Sequence, residues 1–434
     1  MTSDGKPPQV VIVGGGFGGL YAARGFAHAP VKVTIVDKHN YHLFRPMLYQ
    51  VATGLLSADE IAAPIRAIFR KQKNVEVFMA EVTGVNPEQQ IVETTDGNLQ
   101  YDYLILATGI HYNYFGHDQW KDFAPGLDSV DDADRIRGKI LTAFEAAEHT
   151  AAKSGADAKQ VRDLLTFILV GGGTAGVEMA GTIAEMARLA LSGDFRHIDP
   201  GAAHILLFEA APRILPTYPE SLSQRAHEHL QQIGVDVRTN ARVENVDTEG
   251  VIVNGQHIGS RTVLWSAGVV ASPAGKWLCA ETDRSGRVKV NADLSVPGRP
   301  NVFVIGDTAL VIAPSRTLFG FRKEPAPLPG VAQPAIQEGK YVAGVIRRRI
   351  SGQRPPAPFW YWDKGNLAIV GRTFAVAEMQ SLQFSGVLAW LLWLGVHIYF
   401  LIGFANRLLV MLQWGISFWT KRRGVRIFPL NRQT

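Results

Sequence analysis

Twice in this chain a short apolar strand-like run breaks into a cluster of glycines and resumes as a helix-like pattern. The first instance is Val10-Val11-Ile12-Val13 followed by Gly14-Gly15-Gly16-Phe17-Gly18-Gly19. The second is Thr166 to Val170 followed by Gly171-Gly172-Gly173-Thr174-Ala175-Gly176. In both, the glycines fall in the spacing G-x-G-x-x-G, at Gly14, Gly16 and Gly19 and at Gly171, Gly173 and Gly176. That spacing serves three needs: a tight turn, close approach of backbone to a pyrophosphate, and close packing of helix on strand. The start of the helix then offers unpaired N–H groups and partial positive charge to phosphates. Each cluster is followed by a second strand pattern ending in an acid. Asp37 comes 18 residues after Gly19, near the ~20 expected of a carboxylate that accepts ribose hydroxyls. Glu209 comes 33 residues after Gly176, and residues 192–203 read as an insertion that accounts for the longer interval. A flexible surface loop is the competing reading of the glycines, and a solvated strand-end acid that of Glu209.

Gly14 and Gly171 lie 157 positions apart, and the strand pattern Leu104 to Gly109 returns as Thr262 to Gly268. The chain is therefore an internal repeat of two nucleotide-binding α/β halves. Two such sites on one chain imply a tightly held flavin in one and an exchanging nicotinamide in the other. A carboxylate at Glu209 repels a 2′-phosphate, so the nicotinamide is expected to be NADH rather than NADPH. A further strand from Asn301 ends in Gly306-Asp307. Asp307 reads either as an acid for a ribityl hydroxyl or as a helix N-cap, and both roles are compatible. Residues 128–154 read as a helix.

With 434 residues the chain is long enough for two or more cores. A single cysteine, Cys279, excludes an internal disulfide, a CxxC redox centre and a Cys-based zinc or iron–sulfur site. We expect Cys279 to be a small core residue. The net charge of +5 is a mild basic bias without recurring basic stretches, which fits an anionic membrane surface and no nucleic acid. Residues 1–9 are polar and carry no signal-peptide pattern, so the expected starting compartment is the cytoplasm.

The C-terminal region differs in character. After a Pro-rich linker at 351–358, Val387 to Ala405 is nearly all apolar. Asn406 and Arg407 interrupt it, Leu408 to Trp419 is apolar again, and Lys421, Arg422, Arg423 and Arg426 form a basic cluster. Trp390, Trp393, Tyr399, Trp414 and Trp419 suit a membrane interface, and the basic cluster suits anionic headgroups. We read this region first as a surface anchor, second as a span, and third as a core or dimerisation element. His397 has no acidic or cysteine neighbours to complete a metal site, and no metal is expected.

The glycine clusters, together with Asn40–Gly54 (NYHLFRPMLYQVATG), Gly306-Asp307, Ala332-Gln333-Pro334-Ala335-Ile336-Gln337 and Asp363-Lys364-Gly365, resemble the bacterial type II NADH dehydrogenases (type II NADH:quinone oxidoreductases). The resemblance runs from about residue 8 to the C-terminus. It implies two Rossmann-like dinucleotide-binding domains of the pyridine nucleotide-disulfide reductase type plus a C-terminal membrane-anchoring helical region. The implied division is an FAD-binding domain at 8–125 and 292–350, an NADH-binding domain at 126–291, and a C-terminal domain at 351–434. It also implies non-covalent FAD held by Gly14, Gly16, Phe17, Gly18, Gly19, Asp37, Lys38, Val82, Thr108, Gly109, Gly306 and Asp307. NADH would be held by Gly171, Gly173, Gly176, Glu178, Glu209 and Gly268. By the same resemblance Glu178 sits at the nicotinamide, Gln333 and Gln337 border a quinone site, and Lys364 lies near flavin and quinone.

These roles make chemical sense. The glutamines are four apart, on one helical face. Amides bond a quinone carbonyl without carrying charge into an apolar tunnel, and a lysine stabilises negative charge on a reduced flavin. Pro334 within the motif requires the helix to begin near 330–333. Two further departures from the family pattern are Thr174-Ala175 in place of Pro-Thr and Asp37 in place of Glu.

The expected activity is transfer of hydride from NADH to FAD and of two electrons to a membrane quinone. No polar transmembrane path is visible, so no proton pumping is expected. The expected setting is the cytoplasmic face of the cell membrane, as a homodimer. Competing readings are a sulfide:quinone oxidoreductase, which the lone cysteine disfavours, a soluble NADH-dependent reductase of a protein acceptor, and a non-enzymatic NADH-responsive membrane flavoprotein.

Overall fold

The computed structural model describes residues 6–317, 320, 322–379, 382–420, 424, 425 and 427. The basic cluster Lys421, Arg422, Arg423 and Arg426 lies outside the described residues. The chain divides into two compact units. One comprises Met1–Leu43, Ala62–His111 and Val269–Lys364; the other comprises Phe44–Ile61, Tyr112–Gly268 and Gly365–Thr434.

The first unit is built on a six-stranded sheet. Its order is Ser295–Val296, Arg299–Val304, Tyr103–Leu106, Gln9–Val13, Lys32–Asp37 and Val75–Met79, with every pair parallel except the first. The strands Gln9–Val13 and Tyr103–Leu106 are apolar and almost wholly buried, as expected of a parallel sheet covered on both faces. The helix Phe17–Gly25 crosses Ala332–Ile350 at backbone contact. A Cβ on Gly339 would stand 2.3 Å from the Gly18 carbonyl oxygen, and one on Gly25 would stand 2.5 Å from Ala343 Cβ. The helix Ala332–Ile350 places Pro334 in its first turn, where the missing N–H has no intrahelical partner to lose.

The second unit repeats the design with four parallel strands in the order Val235–Arg238, His204–Phe208, Thr166–Val170 and Thr262–Trp265. Ile168, Phe208, Val251 and Trp265 centre its core. The helix Val130–Ala151 begins at a capping box, in which Ser129 and Asp132 satisfy each other's backbone N–H groups. The helix after the second glycine cluster, Thr174–Glu185, ends in a π-helical turn at Met186–Ala190.

Three C-terminal strands, Asn366–Gly371, Phe374–Met379 and Leu382–Gly386, form an antiparallel sheet in this unit that the sequence reading did not anticipate. Two helices follow, Val387–Phe400 and Phe404–Thr420.

The sequence-based expectation is corrected at three points here. The apolar run 387–405 is not one element. Leu401 is extended, Gly403 has φ of 92°, and Arg407 donates to the carbonyls of Leu401 and Tyr399 at 2.7 and 2.8 Å, closing the helix end. No helix among the described residues is long and apolar enough to cross a membrane. Of the aromatics assigned to an interface, Tyr399 and Trp419 are exposed, whereas Trp393 is buried and Trp414 donates its Nε1–H to Gln50 at 2.8 Å. Finally, Cys279 is exposed rather than a core residue: it ends the short helix Ala274–Leu278 in a left-handed conformation (φ 47°) that turns the side chain outward.

Candidate functional site

In the first unit the glycine cluster caps the sheet between Gln9–Val13 and Tyr103–Leu106, where strand order reverses. Gly14 has φ of 104°, and a Cβ there would stand 2.3 Å from the Ala107 carbonyl oxygen. At Gly19 a Cβ would meet the Gly14 carbonyl oxygen at 1.9 Å. Only glycine allows this turn and this helix–strand approach. Asp37 Oδ2 accepts the Gly15 N–H at 2.6 Å and Oδ1 accepts that of His39 at 2.7 Å. His42 Nδ1 pairs with the Gly15 carbonyl oxygen at 2.8 Å, so both backbone groups of the central glycine are held. Burial lowers the His42 pKa to about 4, so the ring is neutral and Nδ1–H donates.

The second unit builds the same device from different residues. Gly171 has φ of 108°, and a Cβ on Gly176 would meet the Gly171 carbonyl oxygen at 1.9 Å. Glu209 Oε2 accepts the Gly172 N–H at 2.6 Å, and Oε1 accepts that of Ala211 at 2.7 Å. Leu215 N–H donates to the Gly172 carbonyl at 2.8 Å, in the place His42 takes in the first unit.

Both cradles fit a dinucleotide. Gly16 and Gly173 are the helix N-caps, neither helix has a side-chain cap or an acid in its first turn, and a Cβ on either glycine would face open space. A helix start without a capping side chain and a wall without side chains are what a pyrophosphate requires.

The remaining residues of the first set lie in the same unit. Phe17 meets the His42 ring edge-on at 5.1 Å. Gly18 is buried, Lys38 exposed and Val82 half-buried. Thr108 pairs with the hydroxyls of Ser272 and Thr308, and Thr308 donates to the Gly109 carbonyl at 3.0 Å. Gly306 and Asp307 form a short 3-10 turn at the end of Arg299–Val304 without a side-chain cap, which removes the N-cap alternative for Asp307.

The two glutamines are not equivalent. Gln337 donates to the Trp362 carbonyl at 3.0 Å and accepts its N–H at 2.9 Å, which occupies both ends of the amide. Gln333 keeps a buried Oε1 with no hydrogen-bond partner. Lys364 Nζ stands 4.7 Å above the Trp362 ring, and burial followed by the charge of Lys340 lowers its pKa.

In the second unit Glu178 is buried on Thr174–Glu185. It accepts the Ile369 N–H, and burial raises its pKa well above the ordinary value. Further along that helix an open pocket is lined by Gln50, Thr182, Glu185, Trp393 and Trp414 among others. Gly268 has φ of 67° at the end of the strand Thr262–Trp265.

Sequence reading missed two residues of the first cradle. His42 lies within the Asn40–Gly54 stretch, but nothing local ties it to Gly15. Glu338 is fully buried, accepts the Gly306 N–H at 2.6 Å, and has a pKa raised to about 8 by burial, against the pull of that hydrogen bond and helped by the charge of Asp307. A lone glutamate in a helix carries no signal of burial.

Paired dinucleotide cradles on parallel sheets define a flavin- and nicotinamide-dependent oxidoreductase, and the pyridine nucleotide-disulphide oxidoreductase family matches residues 8–339. The type II NADH:quinone oxidoreductase Ndh of Mycobacterium tuberculosis is 45% identical over 437 aligned positions, covering 96% of this chain and 90% of that one. NdhA of the same organism is 42% identical, covering 96% and 88%. The structure of NDH2 from Plasmodium falciparum in complex with NADH shares the fold with a TM-score of 0.84 at 21% identity, over 96% of this chain and 99% of that one. The sulfide:quinone oxidoreductase of Aquifex aeolicus also shares it, with a TM-score of 0.70 at 16% identity, over 98% and 100%. The chain belongs to the type II NADH:quinone oxidoreductases.

Proposed function

We propose that this chain passes a hydride from NADH to FAD and two electrons on to a membrane quinone, without pumping protons. The observation that carries the reading is the repetition of one glycine–acid cradle, open and uncapped, in both units. We assign FAD to the first unit and NADH to the second.

FAD, when bound, accepts a pair of electrons as hydride and releases them to the quinone. The chain's own residues bind and orient. Asp37 and Glu209 each lock a cradle glycine and keep further lone pairs for ribose hydroxyls. Gly16 and Gly173 leave helix N–H groups to the two pyrophosphates. Burial of Glu178 favours the neutral form of its carboxyl. Lys364 sets positive charge where reduction builds negative charge. Gln333, with Oε1 unspent, accepts from a quinol hydroxyl or turns its Nε2–H to a quinone carbonyl. Gln337 acts by holding Trp362.

The pocket of the second unit, walled by Trp393 and Trp414, suits an apolar isoprenoid tail. The exposed Leu388, Leu391, Leu409, Leu412 and Ile416 make the C-terminal helices a surface for lipid, which supports a monotopic setting on the membrane. The homodimer is carried by the family alone.

The test uses detergent-purified holoprotein. NADH should bleach the flavin spectrum, and a short-chain quinone should restore it with steady turnover. In Gln333→Leu, bleaching by NADH is expected to persist while quinone kcat/KM falls about tenfold, the loss of one hydrogen bond. Equal loss in both half-reactions would remove Gln333 from the quinone site.

A further inference from the structure

In the second sheet, Thr166–Val170 has His204–Phe208 on one side and Thr262–Trp265 on the other. Strand order reverses between Thr166–Val170 and Thr262–Trp265, so a crevice opens beyond their carboxyl ends. Gly171 forms one lip of it. Ser266 to Gly268 form the other, close enough that a Cβ on Gly171 would stand 2.7 Å from the Ser266 carbonyl carbon.

Phe115 sits on that second lip. Its Cζ would stand 2.3 Å from a Cβ built on Gly268, and its ring lies 6.5 Å from that of Trp265. The loop that carries it is pinned at two points and braced within itself by a third bond. Asn113 N–H donates to the Gly268 carbonyl at 3.3 Å, Trp265 Nε1–H to the Asn113 carbonyl at 3.0 Å, and Phe115 N–H to Asn113 Oδ1 at 2.8 Å. Phe115 has φ of 54°, a left-handed conformation costly for a bulky residue. Yet the residue is 58% exposed, so burial does not repay that strain.

We propose that Phe115 is a substrate-contacting residue whose ring packs on the nicotinamide riboside half of NADH. The inference rests on the reading of this crevice as the NADH site. The side follows from the order of the strands. Glu209, at the end of His204–Phe208, takes the adenosine ribose, and the pyrophosphate lies at the helix start by Gly173. The other half of the dinucleotide then extends over the end of Thr262–Trp265, where Phe115 stands.

The test is calorimetric titration of the oxidised holoprotein with NAD+ and with ADP-ribose, which lacks the nicotinamide. Phe115→Asn removes the ring while keeping a residue that tolerates the left-handed backbone, and Phe115→Tyr restores an aromatic face. Flavin content and melting temperature establish that each variant is folded. Phe115→Asn is expected to weaken NAD+ about tenfold and to leave ADP-ribose unchanged, with Phe115→Tyr near the parent. Equal weakening of both ligands, or of neither, would overturn the proposal. Glu209→Ala is expected to weaken both. If it changes neither, the assignment of the crevice to NADH fails, and the role of Phe115 fails with it.

Discussion

At the scale of single residues, the two acids read from the sequence are tied to their own glycine loops. Asp37 and Glu209 each spend one oxygen on the N–H of a cradle glycine, so the loop and its acid form one rigid body. Their positions after a strand were legible, because strand, glycine turn, helix and acid lie within one local unit. His42 and Glu338 were not legible, because what defines them is contact with Gly15 and Gly306 across the fold. Glu338 carries a pH prediction. Its folded pKa, about 8, lies above the ordinary 4.5, so between those values the folded chain retains a proton that the unfolded chain has lost. Stability therefore falls as pH rises from about 4.5 to about 8. Glu338→Gln keeps an acceptor for Gly306 and cannot ionise. Its melting temperature, followed by flavin fluorescence, is expected to match the parent at pH 5 and to exceed it by several degrees at pH 8. A constant difference across that range would show that Glu338 does not titrate there.

At the scale of elements, the helices Phe17–Gly25 and Ala332–Ile350 show how a cofactor cradle depends on distant sequence. The first begins at the glycine cluster, and the second carries Gln333 and Gln337. They meet backbone to backbone at Gly18 and Gly339. Gly339→Ala forces a methyl group against the Gly18 carbonyl and is expected to cost about 1–3 kcal/mol as overpacking. The measurable result is a lower melting temperature together with earlier flavin release, because the displaced helix opens the loop at Gly14–Gly19. Flavin release at the parent's temperature would uncouple this crossing from the cradle. The helix containing the glutamine motif was foreseen, including its start beside Pro334. The division of labour between the glutamines was not, since four-residue spacing describes a face and not which amide is already engaged by Trp362.

At the scale of the whole molecule, the C-terminal helices present Leu391 and Leu412 to solvent, each 54% exposed. Each leucine buried in lipid contributes about 1.5–3 kcal/mol. The double variant Leu391→Asp with Leu412→Asp is therefore expected to lose more than about tenfold in co-sedimentation with anionic vesicles. NADH oxidation by a water-soluble short-chain quinone should stay at the parent level. Undiminished sedimentation would place the membrane contact elsewhere. The apolar stretch was plain in the sequence. Its division at Leu401–Gly403 was not, because the break depends on Gly403 at positive φ and on the Arg407 guanidinium reaching back to Leu401 and Tyr399.

The amino-acid sequence by itself determined the repeated nucleotide-binding design, the acids, the glutamine helix and the family. Those signals are local: glycines spaced for one turn, periodicities of two and 3.6, and motifs a few residues long. The tertiary structure alone decided that the strands 366–371, 374–379 and 382–386 fold into the second unit. It also decided that Trp393 turns inward, that Cys279 faces solvent, and that Phe115 stands over Gly268. Each of these outcomes depends on which surfaces distant segments bury against one another. That choice is made by packing and hydrogen-bond satisfaction over the whole chain, and no window of neighbouring residues contains it.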